Sequence, residues 1–165
     1  MLADPPRPLK DFALTTEEGK TLKLSDLKGT PVLVFFGFSH CPDICPTTLA
    51  QLRRLELNHP RDLGKTRILV ISVDGGRDTP SMLSDWLKPI SPTFIGLTGP
   101  EKDVHTIAAQ FSAAFFKGTA QPDGDYLVDH SSQVFLIDAE GRMRATFFDA
   151  PVETMAEVVR TLAAG

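Results

Sequence analysis

Two cysteines near residue 40 are the first candidates for chemistry in this sequence. Cys41 and Cys45 are the only cysteines of the 165 residues, and both lie in the stretch GFSHCPDICPTTL. A cysteine at the start of a helix faces unpaired backbone N–H groups and the positive end of the helix dipole, which favour thiolate over thiol. At helical spacing two such sulfurs emerge on one side, so they could share a metal ion or form a disulfide. A disulfide that only pins the loop is disfavoured, because so short a ring adds little stability to a chain of this length.

A histidine far along the chain offers a third donor. It lies in the segment VDHSSQVFLID, which ends in a predicted strand. Thioredoxin-like oxidoreductases usually carry a cis-proline just before the corresponding strand, but here that position is Ser132, and His130 lies two residues earlier. Two thiolates and one imidazole would suit copper, because Cu(I) prefers soft thiolates and Cu(II) accepts an imidazole with a further weak ligand. An ordinary loop histidine explains His130 equally well at this point.

Other metals and other donors fit less well. Zinc would need a fourth ligand that the sequence does not offer, and iron-sulfur clusters would need more cysteines. His40, His59 and His105 are weaker candidates, best explained as solvated or locally hydrogen-bonded side chains. Asp43, between the cysteines, could hydrogen-bond with the thiolates or repel them, although a solvated turn carboxylate is the better interpretation.

The cysteines lie where a predicted strand turns into a predicted helix. PVLVFFGF (31–38) is a nearly continuous apolar run, typical of a strand that is covered on both faces. We expect Phe35, Phe36 and Phe38 to pack on the core side of the site. After the second cysteine, leucines continue with helical periodicity until NHP (58–60) ends the helix. These leucines are Leu49, Leu52, Leu55 and Leu57.

Strands and helices alternate through the rest of the chain. We predict a hairpin about residues 18–19, a strand at 67–73, a helix at 78–90, a short strand in FIGLTG and a helix at 100–115. A second hairpin crosses residues 139–141, and an amphipathic helix closes the chain. This order predicts an α/β fold of thioredoxin-like type with a central mixed sheet. It has an N-terminal β-hairpin and an irregular insertion over 116–128, before the penultimate strand.

Length and composition restrict the organisation and the partners. A chain of 165 residues fits one domain, which we assign to residues 11–165; the proline-rich residues 1–10 are interpreted as a linker or trimmed anchor region. No window approaches the roughly 18 consecutive apolar residues of a membrane-spanning helix. The net charge of −4 and the scattered lysines and arginines argue against nucleic acid as a partner.

Four segments together resemble a known family. FFGFSHCPDICPTTL, SVDGGRDTP, FIGLTG and YLVDHSSQVFLID are similar to the Sco/SenC family, thioredoxin-fold copper proteins that help assemble the dinuclear copper centre of cytochrome c oxidase. The similarity runs from about residue 11 to residue 159. The resemblance implies that Cys41, Cys45 and His130 are ligands of Cu(I) or Cu(II). It also implies that Asp129 takes part in partner interaction or redox reactivity.

The resemblance further implies a copper metallochaperone that delivers copper to the dinuclear copper site of the oxidase. The implied partners are cytochrome c oxidase subunit II or another copper chaperone, and a thiol reductant such as a thioredoxin-like protein. The implied location is the periplasmic side of the bacterial inner membrane, with the mitochondrial intermembrane space as the alternative. The family's usual N-terminal membrane anchor is absent from these residues, so whether the native protein has a membrane tether is an open question.

Two enzymatic alternatives stay open beside the chaperone, which would not be a classical enzyme. A thiol-disulfide reductase would use Cys41 and Cys45 as a redox-active catalytic pair to reduce the cysteines of the oxidase copper site, and it would not need His130 as a ligand. A peroxidase of peroxiredoxin or glutathione-peroxidase type shares the architecture. It would, however, place its reactive cysteine in a different surrounding sequence.

Overall fold

A computed structural model gives the architecture of the chain and describes residues 2–16, 18–37, 44–72, 79–111, 115–117, 128–130, 133–148 and 151–164. The strands are β1 (Leu2–Pro8), β2 (Ala13–Thr16), β3 (Thr21–Lys23), β4 (Val32–Gly37), β5 (Arg67–Ser72), β6 (Ile95–Thr98), β7 (Phe115–Lys117), β8 (Val128–His130), β9 (Gln133–Ile137) and β10 (Arg142–Phe148). The helices are α1 (Ile44–Asn58), α2 (Pro60–Leu63), α3 (Pro80–Leu87), α4 (Glu101–Gln110) and α5 (Val152–Ala164), with a 3-10 turn at Leu24–Leu27. None of the helices in these ranges is long and apolar enough to cross a bilayer.

Eight of the strands form one mixed sheet in the order β1-β10-β9-β4-β5-β6-β2-β3. β4, β5 and β6 are parallel neighbours, whereas β9 and β10 pair antiparallel on one side of them and β2 and β3 on the other. β7 and β8 form a separate antiparallel pair. The predicted mixed α/β sheet and the N-terminal hairpin are therefore confirmed.

Helices cover both faces of the sheet, and alternation along β4 assigns its side chains to two cores. Val34 and Phe36 belong to a cluster that includes apolar residues of α4, whereas Leu33 and Phe35 belong to one that includes α1, α3 and α5. All four side chains are buried. Because successive strand residues point to opposite faces, a strand between two helical layers must be apolar at every position. The continuous apolar run of β4 is the sequence signature of this placement.

Three predicted helices differ in detail from the observed ones; the helix predicted for 78–90 ends at Leu87, three residues early. In α1, Leu49, Leu52 and Leu55 are buried, but Leu57 is 60% exposed. Two residues beyond Leu55 correspond to about 200° around the helix, which turns this side chain away from the core. Leu57 therefore belongs to the predicted helix but not to its buried face.

The helix predicted for 100–115 ends five residues early. α4 stops at Gln110, and Phe111 leaves the helical path with its ring 1% exposed. Phe115–Lys117 forms β7, which pairs with β8. The segment expected to be irregular over 116–128 thus begins and ends in an antiparallel pair of strands, while residues 118–127 lie outside the described part of the chain.

The first residues also differ from expectation. Leu2–Pro8 forms β1, which pairs antiparallel with β10 through Leu2 with Ala145 and Pro8 with Arg142, rather than a free linker. Prolines are tolerated there because β1 is an edge strand, and its outer side has no ladder of hydrogen bonds to complete. The domain boundary between residues 10 and 11 stays a prediction.

Candidate metal centre

The connection from β4 to α1 carries the cysteine motif. β4 ends at Gly37 and α1 begins at Ile44, so Cys45 is the second residue of the helix. Cys41 and Asp43 fall in residues 38–43, outside the described part of the chain. The expected junction of strand and helix is confirmed, and it puts Cys45 in the first turn of α1.

Buried packing fixes the start of α1 against the sheet. Thr48 and Leu49 are 4% and 1% exposed, and Leu52 follows one turn later with no exposed surface. Leu49 and Leu52 share a core cluster with Phe35 of β4. Because apolar contacts lock the second and third turns, the first turn of the helix is held at the end of β4.

The strand that follows the candidate histidine leads to the same end of β4. β9 runs antiparallel to β4 with Val134 opposite Phe35, so β9 starts at the carboxyl end of β4. His130 ends β8, three residues before Gln133, and three residues of chain span at most about 10 Å. His130 pairs with Phe115, and Asp129 with Phe116. The topology therefore starts α1, with Cys45 in its first turn, and β9, three residues after His130, from the same end of β4.

An aromatic cluster supports this edge from one face of the sheet. Phe36, the residue before the last in β4, makes edge contacts with Phe111 and Phe135 at centroid distances of 5.5 and 6.0 Å. Phe111 and Phe135 are themselves 5.0 Å apart. The expectation that Phe35 and Phe36 are core residues is confirmed, whereas Phe38 lies outside the described residues. The sequence did not reveal the other two rings as partners, because Phe111 was assigned to the interior of a longer helix.

Other groups of ionisable residues in the described ranges do not form a second candidate metal site. Within the described ranges, no three His, Cys, Asp or Glu side chains lie together in a way that could hold a metal ion. His59 is paired with Asp62 at 3.5 Å at the other end of α1, and His105 lies in α4. Two grooves of about 540 and 710 Å³ share residues 64–66, and their described lining residues include no cysteine or histidine.

A carboxylate at the opposite edge of the sheet was missed by the sequence analysis. Asp138 follows β9 and accepts hydrogen bonds from the backbone amides of Glu140 and Arg142, and from the guanidinium groups of Arg142 and Arg144 at 2.9 and 3.3 Å. Burial raises the pKa of Asp138, but these hydrogen bonds outweigh it and hold the pKa below its ordinary value. Asp138 shapes the β9–β10 turn at the opposite end of β9 from α1 and Cys45, so we assign it a structural role.

The sheet order and the cysteine at a strand-to-helix junction define a thioredoxin-like α/β protein. A family model described as SCO1/SenC matches residues 3–164. The chain belongs to the SCO1/SenC family, as the sequence motifs predicted.

Individual relatives agree with this assignment. The chain is 42% identical over 142 residues to the mitochondrial protein SCO2 of Saccharomyces cerevisiae, covering 84% of this chain and 46% of that protein. The solved structure of Bradyrhizobium japonicum ScoI with copper bound superimposes with a TM-score of 0.85 at 32% identity, covering 94% and 99% of the two chains. BsSco is described as a member of the Sco family of cytochrome c oxidase assembly proteins, with a disulfide switch. Its solved structure has a TM-score of 0.80 at 25% identity, covering 97% of this chain and 95% of that one. The chain thus spans less than half of the yeast relative and nearly all of the two solved domains.

Proposed function

We propose that this chain is a copper metallochaperone that binds copper through Cys41, Cys45 and His130. The copper is cargo, delivered to the dinuclear copper site of cytochrome c oxidase during assembly. The observation that carries the proposal is the convergence at one sheet edge of the start of α1 with the segment that ends β8. Because β9 runs antiparallel to β4, the start of α1 and the start of β9, more than 80 positions apart in sequence, both lie at the carboxyl end of β4.

The chemistry of the donor set supports copper as the cargo. Two thiolates form a soft pair for Cu(I), and an imidazole adds the harder nitrogen that Cu(II) accepts. In this proposal Cys41 and Cys45 supply the thiolates and His130 the nitrogen. The relative from Bradyrhizobium japonicum was solved with copper bound, and its domain is covered almost completely by this chain.

The redox state of the two cysteines would control loading and release. Oxidation of two thiols to a disulfide forms one S–S bond and passes two electrons to an oxidant with loss of two protons, so both thiolate ligands disappear together. A thiol reductant, such as a thioredoxin-like protein, would restore the binding-competent form. We assign Asp129 and Asp43 to partner contact or to tuning of this redox step.

The proposed partners and location follow from the cargo. Cytochrome c oxidase subunit II or another copper chaperone would receive the copper, which places residues 11–165 as a copper-binding domain on the periplasmic side of a bacterial inner membrane. The mitochondrial intermembrane space is the alternative, since the yeast relative is described as mitochondrial. A membrane tether outside these residues would hold the domain near its acceptor.

A thiol-disulfide reductase is the second candidate function. A cysteine in the first turn of a helix favours it, because the helix dipole stabilises an attacking or leaving thiolate. The description of BsSco as having a disulfide switch gives the same support. In this alternative Cys41 and Cys45 reduce the disulfide of the oxidase copper site, and His130 has no role as a ligand.

One experiment with two readouts separates the candidates. The acceptor is the soluble copper domain of oxidase subunit II, offered once reduced without metal and once with its cysteines oxidised. Cu(I) transfer to the reduced acceptor and thiol release from the oxidised acceptor are measured for the wild type, Cys41→Ser and His130→Ala. A chaperone loses transfer in both variants. Disulfide reduction that survives in His130→Ala, with no copper transfer by the wild type, would replace the chaperone by the reductase.

A further inference from the structure

One ring of the aromatic cluster belongs to the segment that leads into the β7–β8 pair. Phe111 follows the last residue of α4, and its φ of −90° and ψ of 2° take the chain off the helical path. The side chain of Phe111 is 1% exposed and belongs to the core cluster on the α4 face of the sheet. Close packing of this ring fixes the point at which the chain leaves α4.

The chain that leaves Phe111 returns to the same cluster through the candidate histidine. Phe115 follows Phe111 by four residues. Its partner in the antiparallel β7–β8 pair, His130, precedes Phe135 by five residues. The rings of Phe111 and Phe135 lie 5.0 Å apart, which closes a short loop of chain. Because four residues span at most about 14 Å and five at most about 18 Å, the ring contact limits where the backbone of His130 can lie.

The third ring connects this loop to the strand that carries the cysteine motif. Phe36 contacts Phe111 and Phe135 at centroid distances of 5.5 and 6.0 Å, with interplanar angles of 67° and 78°. Edge contacts of this kind fix the relative orientation of the rings. Phe36 precedes Cys41 by five residues, the same number that separates His130 from Phe135. The three rings therefore lie at the bases of the segments that carry the proposed ligands.

The β7–β8 pair needs an anchor of this kind. Within the described residues it forms a sheet of its own and pairs with no strand of the larger sheet. An isolated pair of strands is marginally stable in water and requires packing against other elements. Phe36 and Phe135 lie on β4 and β9, whose backbones pair directly, so the relative position of those two strands does not depend on ring contacts. Phe111 is the member of the cluster that ties the chain entering β7 to them.

We propose that Phe111 is a positioning residue: it holds the β7–β8 pair so that His130 can reach copper on the two cysteines, and it thereby sets the preference of the site between Cu(II) and Cu(I). Thiolates alone suit Cu(I), whereas Cu(II) also draws on the imidazole nitrogen. Loss of the ring would release the histidine and weaken Cu(II) binding, while the thiolates would still hold Cu(I). The inference rests on the proposed function and adds to it a residue that determines which oxidation state the site accepts.

The affinities of Phe111→Leu for the two copper ions test this preference. Phe94→Leu is the matched control, because it replaces a fully buried ring in the other core. Phe111→Leu should lose about tenfold in Cu(II) affinity, as when a residue that orients a metal ligand is removed, and its Cu(II) EPR spectrum should lose the nitrogen hyperfine splitting of the imidazole. Its Cu(I) affinity, measured by competition with bathocuproine disulfonate, should equal that of Phe94→Leu.

Hydrogen exchange of the reduced protein without copper gives an independent readout. The amides of Phe115–Lys117 and Val128–His130 should exchange faster in Phe111→Leu than in Phe94→Leu, because the strand pair has lost its anchor. Slow exchange in β4 and β5 shows that each variant is folded. Phe111→Met is the second variant if Phe111→Leu is not, since methionine keeps an apolar side chain in the core but not the rigid ring.

A double variant separates positioning from general packing. If Phe111 acts through the histidine, Phe111→Leu should cause no further loss of Cu(II) affinity in a His130→Ala background. An additive loss there, an equal loss of Cu(I) and Cu(II) affinity, or exchange in β7 and β8 no faster than in Phe94→Leu would each overturn the role of Phe111. The proposed function survives those results if His130→Ala alone weakens Cu(II) binding. If the reduced wild type binds neither ion, the proposed function fails and the inference fails with it.

Discussion

Replacing Asp138 by asparagine tests whether a buried carboxylate holds the β9–β10 turn. The side chain of Asp138 is 7% exposed, and each of its oxygens accepts two hydrogen bonds. In Asp138→Asn, the amide oxygen can still accept from the backbone of Glu140 and Arg142. The amide NH₂ group, however, would face the guanidinium groups of Arg142 and Arg144, so donors would meet donors.

The expected loss of stability follows from the two guanidinium hydrogen bonds. A hydrogen bond to a charged group contributes about 1.5–3 kcal/mol, but water partly replaces these two because the arginine side chains are 40% and 29% exposed. We therefore expect the free energy of unfolding to fall by about 2 kcal/mol at pH 7, which moves the urea midpoint by about 1 M at a slope of about 2 kcal/mol/M. Asp138 lies at the opposite edge from Cys45, so folded Asp138→Asn should bind copper as the wild type does.

The pH dependence of this difference is a second part of the same prediction. The pKa of Asp138 lies below its ordinary value of 3.8, because its hydrogen bonds outweigh the effect of burial. A carboxyl whose pKa is lowered by folding contributes its full stability above the unfolded pKa and loses it as the pH falls through the folded pKa. The gap between wild type and Asp138→Asn should therefore be complete at pH 7 and narrow below about pH 4.

Asp62→Asn is the matched control for urea titrations at pH 7 and pH 3. Asp62 pairs with His59 and Arg160 at 3.5 and 3.6 Å and its side chain is 24% exposed, so its loss should cost less than about 1 kcal/mol. Equal losses in the two variants at pH 7, or a gap for Asp138→Asn that does not change down to pH 3, would refute the reasoning about the buried carboxylate.

Two further predictions concern the elements around the candidate centre. Phe36→Leu removes two ring contacts and should lower the free energy of unfolding by about 1–3 kcal/mol. It should also weaken copper binding more than Phe94→Leu, which alters a buried ring in the other core. Equal copper affinities in the two variants would contradict a supporting role for the Phe36 ring. Thr79→Ala removes the cap of α3 and should cost about 0.5–1 kcal/mol in thermal unfolding, whereas Thr106→Ala, at an exposed position of α4, should cost nothing measurable. A similar cost for both would contradict the cap.

Much of the fold follows from local patterns that the sequence displays. The continuous apolar run of β4 predicts a central strand, and the leucine spacing after Cys45 predicts a helix that begins beside it. Both patterns reflect burial imposed by neighbours on one or two faces. The leucine spacing does not show which leucines are buried, since Leu57 lies in α1 but is exposed. The helix predicted for 100–115 was too long because Phe111 is apolar whether or not it is helical.

Contacts between distant residues could not be predicted in the same way. The bonds from Ser91 and Thr93 to Glu56 join residues at least 35 positions apart, and nothing in the local sequence pairs them. The same is true of the rings of Phe36 and Phe135. His130 was proposed as a ligand from a substituted proline position and from the family resemblance. The register of β9 on β4, which could not be predicted from local patterns, is what puts the start of β9, three residues after His130, at the end of β4 that leads into α1.

The most direct test of the account is the Cu(II) spectrum of reduced protein, recorded for the wild type, His130→Ala and His105→Ala. The account predicts about one bound equivalent in the wild type with a thiolate-to-Cu(II) charge-transfer band, because two thiolates and an imidazole hold the ion. His130→Ala should lose or shift that band, and His105→Ala, altered within α4, should retain it. A wild-type spectrum without the band, or a His130→Ala spectrum identical to that of the wild type, would contradict the proposed ligand set.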